Sequence, residues 1–267
     1  KEYKLDAYSG EQDFILDENY LIPDSLITPL DLASKKDSED QPVTIKAIYI
    51  GDLKKIDSDT VILYCHGNKW HMDFYWQRAK LLAHVNGKNR YGVMLFDYRG
   101  YGLSEGNPDE EGIYADTEAC LAWLKQQGLS NDRLIVYGFS LGSAPACEIS
   151  AAGKNLQPFK LILEAPFASA EVMVQDASQL NMPASYFTDL KINNADKIET
   201  VEQPLMWLHG TNDNFLNYKT HGETVYRHHK GVYRQSYLVE GADHGEVPAK
   251  AGFAIYLDEI GKFIRRK

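Results

Sequence analysis

Three residues with complementary chemistry each follow an apolar run of the chain. Ser140 lies in GFSLG, Asp213 ends HGTND and His244 lies in GADHG. A serine hydroxyl is a weak nucleophile at neutral pH and needs a base to take its proton. Histidine can take that proton and later return it, and a carboxylate on its other ring nitrogen fixes the tautomer. The three residue types therefore predict nucleophilic catalysis, provided that the fold brings them together.

Alternating strand and helix patterns supply the elements that would position these residues. The predicted strands span 43–50, 60–65, 91–98, 134–139, 161–165, 204–210 and 235–241, and the predicted helices span 75–85, 109–127, 140–152, 218–229 and 249–265. Such alternation predicts an α/β fold with a mostly parallel central sheet and helices on both faces. Chemistry in such sheets lies beyond the carboxyl ends of the strands, where all three residues fall.

Two regions depart from this alternation. The polar stretch ASKKDSEDQ precedes the alternating run VTIKAIYI without an intervening helix, so we expect a hairpin loop and an antiparallel N-terminal edge. The segment at about 171–203 is too short for a large cap, so we expect a minimal lid of one or two short helices. We expect residues 1–267 to form a single domain.

The small residues around Ser140 predict a tight turn between a strand and a helix. Gly138 and Gly142 keep side chains out of a crowded contact there. The backbone N–H of Leu141 would open the following helix and face an oxyanion formed beside Ser140. We expect the second oxyanion donor in the loop after 60–65, at the N–H of Asn68 or, less favoured, of Lys69.

Several other polar residues at strand ends are alternatives to this assignment. Glu164 could supply the acid in place of Asp213, although a structural hydrogen-bond role is favoured. His66 and His209 precede glycines and are interpreted as loop-shaping residues, and Asp243 as a turn residue. No HExxH motif or other compact ligand spacing is present, so the sequence predicts neither a metal site nor a cofactor.

Composition excludes some classes of function. Lys and Arg number 28 against 38 Asp and Glu, giving a net charge of −10 without a basic stripe, which argues against nucleic-acid binding. No apolar run reaches the roughly 18 residues that cross a bilayer. The sequence starts at Lys1, so we expect membrane contact only through a segment upstream of it. Localisation and oligomeric state stay open, and Cys65, Cys120 and Cys147 are interpreted as buried thiols.

Five motifs together resemble a known family. YCHGN, FDYRGYGLSEG, GFSLG, LHGTND and GADHG, in this order over about 43–265, resemble the serine hydrolases of the α/β-hydrolase superfamily, in particular abhydrolase-domain depalmitoylases and related bacterial hydrolases. The resemblance implies the α/β-hydrolase fold, with Ser140 as nucleophile, His244 as base and Asp213 as acid. It also places Leu141 and Asn68 at the oxyanion-hole positions.

The chain departs from this family after HGN, where relatives often continue with small residues. The bulky continuation here, together with apolar residues of the lid-like segment, supplies the candidates for pocket lining: Lys69, Trp70, His71, Met173, Met182 and Phe187. Simple packing of the lid residues on the body is the competing interpretation.

These observations predict a serine hydrolase that cleaves carboxylic esters or thioesters through an acyl-enzyme intermediate and without a cofactor. The expected partner is a small ester or acylated molecule. One alternative is a membrane-associated protein or lipid deacylase, and a less favoured one is a binding protein that keeps the fold without turnover.

Overall fold

One eight-stranded sheet carries the architecture of the protein. The computed structural model describes residues 2–8, 14–178 and 189–266, with the backbone alone for 177 and 178. The strands are β1 (Ile27–Ser34), β2 (Val43–Ile50), β3 (Val61–Cys65), β4 (Gly92–Phe96), β5 (Leu134–Phe139), β6 (Lys160–Glu164), β7 (Leu205–Gly210) and β8 (Arg234–Val239). Their order across the sheet is β1-β2-β4-β3-β5-β6-β7-β8.

The pairing confirms the predicted mixture of directions. β1 pairs with β2 and β2 with β4 in antiparallel fashion, and every pair from β4 to β8 is parallel. The loop between β1 and β2 is the expected hairpin connection. The Asp37 carboxylate folds it by accepting the N–H groups of Glu39 and Gln41.

Helices cover both faces of the sheet, as predicted. They are α1 (Met72–Ala83), α2 (Glu110–Gln126), α3 (Ser143–Ala152), α4 (Ala170–Ser178), α5 (Asn194–Lys197), α6 (Gly222–His228), α7 (Val247–Ala251) and α8 (Phe253–Arg265). The alternation of β3 shows why both faces need cover. Ile62 and Tyr64 pack with side chains of α1 and α8, whereas Leu63 and Cys65 pack with those of α2 and α3. Parallel strands buried on both faces are therefore apolar throughout.

Two predicted helices differ from the observed ones for local reasons. The predicted helix at 249–265 is two helices, because Gly252 adopts φ +85 between α7 and α8. The predicted helix at 218–229 begins only at Gly222. Before it, the Asn217 side chain accepts the N–H of Lys219 in a turn that competes with helix formation.

The three cysteines are free and buried, as expected from the sequence. Burial raises the pKa of Cys147 to about 12, and it raises those of Cys65 and Cys120 as well. Among the described residues, no helix combines the length and the apolar character that crossing a membrane requires.

Candidate active site

Ser140 lies at a strained turn between β5 and α3. Its φ of +51 is in the left-handed region, which a residue with a side chain rarely adopts. The flanking glycines permit the close contacts of this turn. A Cβ at Gly142 would collide with the carbonyl oxygen of Cys65 in β3, and one at Gly138 would lie 2.7 Å from the Cβ of Ala146. Ser143 closes the turn by donating to the Ser140 carbonyl at 2.6 Å.

The structure brings the three sequence-predicted polar residues together. The Oγ of Ser140 lies 2.9 Å from Nε2 of His244, and Nδ1 of His244 lies 2.7 Å from Oδ2 of Asp213. An ionised carboxylate only accepts hydrogen bonds, so Nδ1 carries the proton and Nε2 accepts the serine hydroxyl. The arrangement can therefore take the Ser140 proton and stabilise the resulting imidazolium. The His244 side chain remains 21% exposed, so its ring faces the outside on one side.

Asp213 is saturated with donors. Its Oδ1 accepts the N–H groups of Phe215 and Leu216 at 2.9 and 2.7 Å, and its Oδ2 accepts from both His244 and His209. Burial raises the pKa of Asp213, but the hydrogen bonds from His209 and His244 outweigh it and hold the pKa well below its ordinary value. The carboxylate is therefore ionised at neutral pH.

His209 has a role that the sequence did not reveal. The indole N–H of Trp207, which can only donate, lies 3.1 Å from Nδ1 of His209. The proton of His209 is therefore on Nε2, which lies 3.0 Å from Oδ2 of Asp213. His209 holds the Asp213 carboxylate instead of only shaping a loop. The four-residue spacing of the two residues in HGTND is the one signal that could have indicated it.

A buried ion pair lies beneath the His244 loop. Arg78 of α1 donates to Glu164 at 3.0 Å and to the carbonyl of Gly245, and its guanidinium lies 4.5 Å from the Phe139 ring centroid. Tyr137 also donates to Glu164. Glu164 thus makes structural hydrogen bonds, and Arg78 ties the loop that carries His244 to the sheet.

The loop after β3 is held by polar contacts as well. The Tyr101 hydroxyl donates to Oδ1 of Asn68 at 2.5 Å. Nδ1 of His66 lies 2.7 Å from the Gly67 carbonyl, and its Nε2 lies 3.3 Å from Oδ1 of Asp97. These contacts fix the loop that carries Asn68 and Lys69, while Leu141 begins the helical turn after Ser140.

A cavity of about 290 Å³ opens beside Ser140 and His244. Aromatic side chains make up much of its wall, and the remaining lining is small or polar. The aromatic members besides His244 are Trp70, Phe74, Tyr75, Phe139 and Phe215, and the others besides Ser140 are Gly67, Asn68, Lys69, Arg78 and Gly245. Its volume is at the lower end of the roughly 300–1,000 Å³ typical of ligand pockets.

Trp70 stands out among the aromatic residues of this wall, because it adopts φ +68. For a bulky residue the left-handed conformation costs roughly 1–2 kcal/mol. Of the pocket residues predicted from the sequence, Trp70 and Lys69 line the cavity.

The other predicted pocket residues lie elsewhere. The prediction for His71 is wrong, because its side chain lies near Asp73 and its ring contacts those of Tyr3 and Tyr8 instead. Met173 also does not line this cavity and packs with the apolar cluster around Phe167. Met182 and Phe187 lie outside the residues that the structure describes. No group of three or more potential metal ligands is found within the described ranges.

Comparisons with known proteins are consistent with this architecture. A family model for the alpha/beta hydrolase fold matches residues 60–156. The Pyrococcus furiosus esterase Pf2001 is similar in structure, with a TM-score of 0.69 and 19% sequence identity over 92% of this chain and 95% of the esterase. The chain has the α/β-hydrolase fold. The α/β-hydrolase fold that the five motifs imply is thereby confirmed.

Other proteins with the α/β-hydrolase fold are similar at comparable levels. The esterase EaEST from Exiguobacterium antarcticum has a TM-score of 0.62 at 16% identity, over 89% of this chain and all of that one. Human alpha/beta hydrolase domain-containing protein 17B is 28% identical over 210 residues, which are 77% of this chain and 66% of the human protein. Mouse protein 17C is 28% identical over 205 residues, 76% of this chain and 59% of the mouse protein. The chain therefore spans less than two thirds of the length of these human and mouse proteins.

Proposed function

We propose that the protein is a serine hydrolase that cleaves carboxylic ester or thioester bonds through an acyl-enzyme intermediate. One observation carries the proposal: Ser140, His244 and Asp213 form a continuous hydrogen-bonded relay with separations of 2.9 and 2.7 Å. Both Ser140 and His244 line a cavity in which a substrate carbonyl has room. The hydrolase fold and the similar esterases support the same reaction class.

In the first half of the proposed reaction, Ser140 becomes acylated. Its Oγ attacks the carbonyl carbon while Nε2 of His244 takes the hydroxyl proton, and the carbonyl oxygen becomes an oxyanion. The N–H groups of Leu141 and Asn68 stabilise that charge. When the tetrahedral intermediate collapses, the bond to the leaving group breaks, and His244 gives its proton to the departing alcohol or thiol.

In the second half, water releases the acyl group. His244 takes a proton from the water, which attacks the Ser140 ester, and then returns the proton to Oγ as the carboxylic acid departs. Asp213 stays ionised throughout and stabilises the imidazolium. The donors that saturate Asp213 support this role, because they keep its charge in place near neutral pH.

Turnover of p-nitrophenyl acetate and butyrate tests the proposal. Ser140→Ala should lower kcat by roughly 10⁴- to 10⁶-fold while the melting temperature stays near that of the wild type. Ser38→Ala is the matched control, because Ser38 is exposed in the loop between β1 and β2. A fluorophosphonate probe should label the wild type and the control but not Ser140→Ala. Folded wild-type protein that neither turns over esters nor reacts with the probe would contradict the proposal and favour a binding protein.

The deacylase alternative concerns the substrate and not the mechanism. The largely aromatic cavity wall suits an acyl group of either kind of substrate. Comparing short-chain p-nitrophenyl esters with a palmitoyl thioester separates the two: a kcat/KM at least tenfold higher for the palmitoyl substrate would favour the deacylase.

A further inference from the structure

Trp70 presents a large apolar surface at the mouth of the cavity at a conformational cost. Its φ of +68 is one that a glycine would adopt freely and a bulky residue rarely does. The residue is 54% exposed, and its indole stacks on the ring of Phe74 with a centroid distance of 5.9 Å and an angle of 19°. A strained backbone that displays an aromatic ring beside a nucleophile indicates a role in binding.

Phe215 presents a second exposed aromatic ring to the same cavity, next to the proposed base. It is 60% exposed, and its ring meets the ring of His244 edge-on at 5.1 Å. Its backbone N–H donates to Asp213. Phe215 therefore lies on the side of the cavity where His244 protonates the leaving group.

Trp70 and Phe74 belong to a different wall. They lie on the loop after β3 and on the first turn of α1, next to Asn68, where the oxyanion is expected. In the tetrahedral intermediate the leaving group faces His244 and the oxyanion faces its N–H donors. The acyl substituent then points away from Phe215, past the oxyanion donors and toward the rings of Trp70 and Phe74.

Two charged side chains line the cavity, the exposed Lys69 and the buried Arg78, and the buried one does not disturb the apolar environment. The Arg78 guanidinium is only 3% exposed and is paired with the Glu164 carboxylate at 3.0 Å. A neutralised guanidinium that lies against Phe139 leaves the aromatic rings to determine which substituent binds.

We propose that Trp70 sets the acyl-chain limit of the site, and that Phe215 contacts the leaving group instead. The proposal rests on the proposed function and names the substrate class within it: esters or thioesters with short to medium unbranched acyl chains. The indole borders the mouth of the cavity on the acyl side, so acyl chains longer than the cavity collide with it.

The test is a two-way substrate comparison on the full chain. One series holds p-nitrophenol constant and varies the acyl group from acetate through butyrate and octanoate to laurate. The other holds acetate constant and varies the alcohol from ethanol to octanol, with release of acetic acid as the readout. The variants are Trp70→Ala, Trp70→Gly, which also removes the backbone strain, and Phe215→Ala.

We expect Trp70→Ala to raise the laurate-to-butyrate ratio of kcat/KM at least tenfold and to leave the octyl-to-ethyl ratio of the alcohol series unchanged. Trp70→Gly should give the same two ratios. It serves as the test if Trp70→Ala folds poorly. Phe215→Ala should change the octyl-to-ethyl ratio of the alcohol series and leave the laurate-to-butyrate ratio unchanged. A general structural role for Trp70 would lower all rates together without changing either ratio.

Two outcomes would overturn the assignment while leaving the proposed function intact. One is an acyl ratio that stays unchanged in both Trp70 variants, and the other is a Trp70 effect confined to the alcohol series. Both outcomes are measured on variant protein that still reacts with the fluorophosphonate probe. Wild-type protein that neither reacts with the probe nor hydrolyses any ester would remove the proposed function and this inference together.

Discussion

Two histidine–aspartate pairs at the carboxyl edge of the sheet have the same residue types and different surroundings. In one pair, His66 and Asp97 are fully buried. Nδ1 of His66 faces the Gly67 carbonyl, and its Nε2 faces the Asp97 carboxylate. In the other, His244 uses only Nδ1 for Asp213 and leaves Nε2 for Ser140. A histidine can act as a base on a neighbouring hydroxyl only when one ring nitrogen is free of structural partners.

The acids of the two pairs differ in the same way. Asp97 is held by the hydroxyl of Tyr3 at 2.5 Å, a contact between the N-terminal segment and the turn after β4. Asp213 is held by four donors, three of them from its own strand-end region and one from His244. The first pair joins distant parts of the chain, whereas in the second pair the Asp213 carboxylate faces a single ring nitrogen of His244. We therefore expect substitutions in the first pair to affect stability and those in the second to affect turnover.

Replacing the two acids in parallel should give the largest contrast. Asp213→Asn should lower kcat by about 10³- to 10⁴-fold, because the amide can no longer hold His244 in the required tautomer. Asp97→Asn should lower the melting temperature and change kcat by less than about tenfold, the size of a modest indirect effect. Butyrate ester turnover and thermal unfolding measure both. If Asp97→Asn lost activity as completely as Asp213→Asn without a loss of stability, the division between the two pairs would be wrong.

His209 gives a smaller and more specific test of the second pair. His209→Leu removes one donor from Asp213 and should lower kcat/KM about tenfold, the equivalent of one hydrogen bond to a charged group. The acidic limb of the pH–rate profile should move to higher pH, because the hydrogen bond from His209 is one of those that lower the pKa of Asp213. His209→Gln, which retains a donor, should restore part of the rate. The control His228→Gln changes a half-exposed histidine of α6 and should leave the profile unchanged.

Tyr3 tests the first pair without touching its acid. Tyr3→Phe removes the hydrogen bond to Asp97 and should destabilise the protein by about 1–2 kcal/mol. The melting temperature should then fall by about 2–8 °C, with kcat unchanged. Tyr8→Phe is the control, since within the described ranges the Tyr8 hydroxyl makes no hydrogen bond. Equal melting temperatures for the two variants would show that Tyr3 does not hold Asp97 in solution.

A third pair, His221 and Asp176, should give the smallest effect. Burial lowers the pKa of His221 from its ordinary 6.5, although Asp176, 3.1 Å away, opposes the shift. Below about pH 6.5 the unfolded chain then binds a proton more readily than the folded one, so stability falls as the pH falls. Between pH 7.5 and 5.5 the melting temperature of His221→Gln should therefore decrease less steeply than that of the wild type. The melting temperature of His221→Gln should still fall somewhat with pH, because burial also lowers the pKa values of His84 and His229. Identical slopes for variant and wild type would contradict this account.

The parts of the site that could be predicted are those whose signals are local. Ser140, Asp213 and His244 each follow an apolar strand, and the topology of parallel strands places such ends at one edge. The contacts of Tyr3 with Asp97 and of Arg78 with Glu164 join residues 94 and 86 positions apart, so no local pattern indicates them. The left-handed Trp70 could not be predicted either, because that conformation is usually signalled by glycine or asparagine.

The incorrect placement of His71 has a similar physical cause. The residue immediately precedes α1, and the N-terminal segment lies over this end of the helix, where Asp73 accepts the N–H groups of Lys4 and Leu5. The imidazole contacts the aromatic rings of that segment, which no spacing near position 71 indicates.

The buried thiols described above provide a built-in reporter of structural opening. Cys65 is in the central region of the sheet, and Cys120 and Cys147 lie on the helices that cover one of its faces. An alkylating reagent can reach them only when those elements separate, since burial also keeps the sulfur protonated. The rate of their modification therefore measures how often the body of the protein opens, independently of whether the serine reacts.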